Sequence, residues 1–178
     1  MKIIVGFSRH PGFAPMSWAI CAVEGTRYSH AYVKIRADSL DRNLIYQATG
    51  IGVYFVGERN FLTKAIPIEE YEFEISDGAR TAFLQKAVDN CGIPYSKSEV
   101  IGMGVVRLFG LFGKKIKNPF ADGKGAYICV ELVTEVLQDF DLIPDSVDAD
   151  NIGLKELNLH VKNLYRTIST AQQPTQTI

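Results

Sequence analysis

Cysteine is scarce in this chain, with three among 178 residues: Cys21, Cys91 and Cys129. They are too scattered for a disulfide scaffold, and the absence of a Cys-x-x-Cys pair argues against a zinc knuckle. Free thiols in a reducing compartment are the simpler reading. Charge of one sign is also lacking. A formal net charge of −1 removes the basic excess that general nucleic-acid binding requires. Long apolar runs are missing too. The longest, from Val100 to Gly113, is interrupted by Arg107 and falls far short of the ~20 residues of a bilayer span. The run at Lys2–Phe7 is too short for a signal peptide and is broken by Arg9-His10-Pro11. A cytoplasmic location is therefore the expectation. No metal-ligand cluster is evident in the residue pattern.

What is present is an ordinary globular balance, 47% hydrophobic and 22% charged. The length suits one domain over residues 1–168, followed by a polar Gln-, Thr- and Pro-containing tail at 169–178 that is expected to be disordered. Alternation predicts strands over 2–7, 30–36, 44–48, 52–56 and 65–75. A helix over 16–23 would be anchored by Trp18, Ile20 and Cys21. A second runs to Asn90, capped by Ser76 or Asp77, with Ala79, Ala82, Phe83, Ala87 and Val88 as its buried stripe. Ser96-Lys97-Ser98-Glu99 reads as a capping box for a helix over 100–112, and 114–125 reads as loop. The helix over 127–140 buries Cys129, Leu132, Val133, Val136, Leu137 and Phe140, and turns Glu131, Glu135 and Gln138 outward. Residues 142–158 read as irregular, with a short helix near Leu154. The fold class is α+β: a small antiparallel sheet packed by helices.

Cys129 opens its helix within Ala-Tyr-Ile-Cys-Val-Glu-Leu-Val. A thiol on a first helical turn meets backbone N–H groups and the positive end of the macrodipole, which should lower its pKa and favour thiolate. The same residue also fits the core stripe, as structural cysteines do. Far upstream, His30 in Tyr-Ser-His-Ala-Tyr alternates with the apolar Ala31, Val33 and Ile35, so its imidazole falls on the face shared with Tyr32 and Lys34. A nucleophilic cysteine with a sequence-distant histidine is the pairing that cysteine hydrolases use. His10 and His160 have poorer contexts.

A third polar group usually fixes the imidazole. Gln47, in Ile-Tyr-Gln-Ala-Thr, pairs directly with His30 if Ile35 lies opposite Arg42. Another register turns it away, leaving an ordinary strand glutamine. Tyr95, in Gly-Ile-Pro-Tyr-Ser, reads first as a loop aromatic capping the core. Its hydroxyl can also donate to an oxyanion beside the Cys129 N–H. Residues 100–112 with Phe109, Leu111 and Phe112 before Lys114-Lys115 read as a buried helix, or alternatively as an acyl-chain or membrane-surface contact.

Four segments together, Tyr-Ser-His-Ala-Tyr-Val, Ile-Tyr-Gln-Ala-Thr-Gly-Ile-Gly-Val, Gly-Ile-Pro-Tyr and Tyr-Ile-Cys-Val-Glu-Leu-Val, resemble the permuted branch of the NlpC-type, papain-like cysteine hydrolases. In that branch the His strand comes first and the Cys helix near the end, as in this chain. The resemblance covers residues 1 to 140 and implies a circularly permuted papain-like fold. It further implies Cys129 as nucleophile, His30 as base, Gln47 as third polar residue and Tyr95 as oxyanion-side tyrosine, with no cofactor. Two positions depart from the pattern: Val130 stands where the family usually has Ser, and Gln47 where many members have Glu or another His. A neutral amide orients imidazole but does not stabilise imidazolium as a carboxylate does.

The function this implies is hydrolysis of amide, isopeptide or related acyl bonds in a peptide-like substrate. A lipid or thioester acyl hydrolase or transferase would use the same site, and a non-catalytic binding or structural module would keep only the fold. Members of this kind also occur in phages, so delivery by a partner or a viral particle is compatible with the resemblance. Substrate and oligomeric state are not legible in the residues.

Overall fold

The computed structural model describes residues 2–96, 98, 100, 102 and 126–171. Most of the 100–112 segment, its proposed capping box at Lys97 and Glu99, the 114–125 stretch and residues 172–178 lie outside the described residues.

Five strands form one antiparallel sheet: β1 (Lys2–Arg9), β2 (His30–Ala37), β3 (Arg42–Thr49), β4 (Gly52–Gly57) and β5 (Ile66–Glu74), in the order β4-β3-β2-β1-β5. The helices with both ends among the described residues are α1 (Pro15–Glu24), α2 (Glu58–Leu62), α3 (Asp77–Asp89), α4 (Cys129–Asp139) and α5 (Leu154–Ala171). This is the expected α+β arrangement, and each predicted strand recurs within two residues at either end.

Alternation sorts the two faces of the sheet. Ile3, Val5 and Phe7 of β1 pair with Ile35, Val33 and Ala31 of β2, and all six belong to the main core. Tyr46 and Ala48 of β3 and Tyr71 and Phe73 of β5 extend the same layer. Buried residues of α3, α4 and α5 cover it, with Leu132, Val133, Leu137 and Leu157 at 1% exposure or less. The opposite face holds a smaller cluster of Tyr32, Ile45 and Phe61, the last supplied by α2. Around that cluster Lys34 reaches Glu58 at 3.1 Å and Glu70 at 2.8 Å, and the Tyr32 hydroxyl donates to Glu70 at 2.6 Å. The partly buried lysine is thus paired rather than stranded.

Four sequence expectations need correction. Trp18 is 68% exposed and α1 has no buried residue, so of the three expected anchors only Ile20 and Cys21 are partly buried. Val88 is 62% exposed, leaving Phe83 and Ala87 as the buried residues of α3. Glu131 is buried, where its carboxylate accepts the Ile128 N–H at 3.3 Å and so caps α4. Finally, α5 extends for 18 residues to Ala171, where a short helix was expected. The first three residues assigned to the tail, Ser169–Ala171, are therefore helical.

Candidate active site

His30 is the first residue of β2, and Cys129 the first of α4, which packs across β2 and β3. Four nearby donors favour the Cys129 thiolate: the backbone N–H groups of Ala31, Cys129 and Val130, and the Tyr95 hydroxyl. Ala31 is the next residue after His30, so the sulfur lies near the strand that carries the imidazole. Among the described residues no hydrogen bond runs directly between the two side chains. Cys129 is 6% exposed, and burial raises its pKa more than the four donors lower it. The lowered pKa expected from the helix terminus is therefore overturned: desolvation outweighs the first-turn N–H groups.

Tyr95 reaches the thiol because two sets of backbone bonds hold its segment. Gly92 N–H donates to Val53 O and Val53 N–H to Ile93 O, both at 2.9 Å, which pins the segment to the start of β4. Tyr127 N–H then donates to Pro94 O at 2.9 Å and Ser96 N–H to Tyr127 O at 3.1 Å, which lays Tyr95 beside the chain entering α4. The close approach to β4 requires Gly52: its φ is +113°, and a Cβ there would lie 2.7 Å from Ile93 O.

Gln47 comes to His30 by a different register from the one that pairs them directly. Ile35 lies opposite Leu44, and Ala37 opposite Arg42, across a short 3₁₀ turn at Asp38–Leu40 with Asp41 at φ +50°. The shift is by two residues, so Gln47 stays on the His30 face and reaches it diagonally. The imidazole Nε2 and the Gln47 Oε1 are 2.8 Å apart. Because Gln47 Nε2 donates to the Tyr54 hydroxyl at 3.1 Å, Oε1 is left to accept from His30. An amide oxygen only accepts, so His30 Nε2 carries the proton and Nδ1 keeps its lone pair. His30 is partly buried, and desolvation of its ring lowers the imidazole pKa to about 4, against the opposing pull of Gln47. At neutral pH the resting pair is thiol and neutral imidazole.

Two adjoining cavities share Met16, Ile20, Ser29, Tyr95 and Val100. The smaller, about 210 Å³, contains Cys129; the larger, about 930 Å³, contains His30, Gln47 and Tyr54. Sequence reasoning missed Tyr54, whose only signal is its position across β3–β4 from Gln47. It also missed Ser8, which pairs with His30 across β1–β2, is fully buried, lines the larger cavity and has no partner for its hydroxyl among the described residues. His10 lines the same cleft but bonds only locally to Gly12, and His160 lies on α5.

The chain matches no protein-family model and no curated protein. Among the described residues, no helix is long and apolar enough to cross a membrane.

Proposed function

We propose that this protein is a cysteine hydrolase of permuted papain-like type, cleaving amide, isopeptide or related acyl bonds. The observation that carries the reading is the orientation of His30, whose Nε2–H is engaged by Gln47 while Nδ1, which has no hydrogen-bond partner among the described residues, serves as a base. The thiol near Ala31 and Tyr95 adds the nucleophile. His30 Nδ1 takes the Cys129 proton as sulfur attacks the carbonyl carbon. The oxyanion is held by the Cys129 N–H and the Tyr95 hydroxyl. Collapse of the tetrahedral adduct breaks the acyl–nitrogen bond, and His30 returns the proton to the departing amine. Water, deprotonated by His30, then attacks the thioester, releases the acid and restores the thiol. Substrate binding must draw the imidazole and sulfur into direct contact, because no hydrogen bond joins the two side chains at rest.

A second reading, a non-catalytic module retaining the fold, rests on the burial that raises the thiol pKa. One experiment separates the two. A Cys21→Ser/Cys91→Ser protein is mixed with p-nitrophenyl hexanoate and followed by intact-protein mass spectrometry. The hydrolase reading expects one transient acyl adduct on Cys129 that His30→Ala slows by about 10²-fold or more. No adduct, or an adduct forming equally fast without His30, would favour the module.

A further inference from the structure

We infer that the site takes an acyl donor whose acyl half is apolar and compact, about six to eight carbons, and whose departing half is polar. The inference rests on the hydrolase reading and assigns the two cavities to the two halves of its substrate. The smaller cavity contains the proposed nucleophile and is walled by Met16, Ile20, Val23, Ile128, Val130 and Leu154. Such a lining offers an acyl tail chiefly dispersion contacts, with Glu24, Ser29 and Tyr95 as polar members of the wall. The cavity volume is about 210 Å³. A cavity of roughly 150 Å³ with comparable lining accepts benzene, which sets the six-to-eight-carbon scale. One linear acyl chain or one leucine- or phenylalanine-sized side chain fits that size, and a long fatty chain exceeds it.

The larger cavity sets the orientation. It holds the imidazole, the Gln47–Tyr54 pair and the buried, unpartnered Ser8 hydroxyl. A buried hydroxyl without a partner costs stability unless something binds it, and this one lies in cross-strand register with His30. A polar leaving group placed there gains a hydrogen bond and lies beside the base that protonates it. The reverse placement would put a polar group against a mostly apolar wall and leave Ser8 unsatisfied.

The test uses the full chain with Cys21→Ser/Cys91→Ser and p-nitrophenyl esters of two to sixteen carbons, reading the rate of Cys129 acylation. The expected profile rises at least tenfold from acetyl to hexanoyl or octanoyl and falls again by dodecanoyl. Ala19→Phe and Val23→Phe, both on solvent-facing α1, narrow the cavity. Each should lower the octanoyl-to-acetyl rate ratio by tenfold or more. Matched 7-amino-4-methylcoumarin amides of octanoic acid, leucine and phenylalanine then distinguish a fatty acyl from an aminoacyl source. A profile flat in chain length, or a ratio unmoved in both variants, overturns this inference while leaving the hydrolase reading intact. No acylation by any ester overturns that earlier reading instead.

Discussion

Gln47 is an amide where a carboxylate would carry charge, and this sets the pH behaviour of His30. Burial holds the imidazole at about 4, so the base stays unprotonated down to that pH. The kcat/KM of the wild type should therefore fall only as pH drops through about 4. Gln47→Glu places a negative charge against the ring and raises the imidazole pKa. The acid limb of the pH–rate profile should then move upward by a unit or more, and an unmoved limb would mean that residue 47 does not govern the base. Tyr54 acts one step further out, as a positioning residue. Tyr54→Phe removes the acceptor of the Gln47 amide, frees the amide to flip and mixes the imidazole tautomers. A roughly tenfold loss in kcat is expected, with a change in the ¹⁵N shifts of His30 that a merely structural contact would not cause. Ser8→Ala should raise KM for polar leaving groups and leave simple p-nitrophenyl esters less affected. Of Gln47, Tyr54 and Ser8, only Gln47 was legible from sequence, as was His30 itself. Tyr54 and Ser8 become meaningful through cross-strand neighbours, which a single strand's pattern does not specify.

At the scale of elements, backbone approach decides where Tyr95 lies. Gly52→Ala forces a methyl to within 2.7 Å of Ile93 O at a left-handed backbone angle, and the strap that carries Tyr95 must move. Melting should show a loss of about 1–3 kcal/mol, and acylation should slow more than in a surface variant of equal stability. Ser76→Ala provides that comparison: it removes the side chain that accepts the Ala79 N–H at 3.1 Å and costs about 1 kcal/mol. Equal acylation in the two variants would deny the strap a role in positioning Tyr95. Strands were readable because alternation marks a half-buried sheet, and α3 because Ser76 caps it and Gly92 ends the turn that follows. The length of α5 was not, since its polar Lys155, Glu156 and Lys162 lie among apolar residues of a helix with only one face packed. The exposure of α1 was hidden for the opposite reason: its apolar residues resemble a core stripe, yet several border a cavity. Register escaped because alternation fixes the face of Gln47 but not its opposite residue, which the Asp38–Asp41 turn determines.

For the whole molecule, the same burial that keeps His30 a free base ties stability to acidity. The unfolded chain takes up a proton on this histidine near its ordinary value of 6.5, whereas the folded chain resists until about 4. Between those values the unfolded state binds more protons, so stability falls as pH falls, by at most about 1.4 kcal/mol per pH unit from this group. Glu58 and Glu69 act in the same direction at lower pH. Burial pushes each carboxyl up, but Asn43 and Lys34 at Glu58, and Tyr71 and Asn158 at Glu69, pull both below the usual carboxylate range. Their contribution is present at neutral pH and disappears as acid protonates them. The two effects separate with His30→Asn, which keeps a polar side chain but cannot titrate. Thermal melts from pH 7 to pH 3.5 should show the wild type losing stability from about 6.5 downward, with His30→Asn flatter until the carboxylates protonate. Parallel melting curves between pH 6.5 and 4 would mean that the imidazole ionises freely in the folded chain, and that the cleft is wetter than its burial implies.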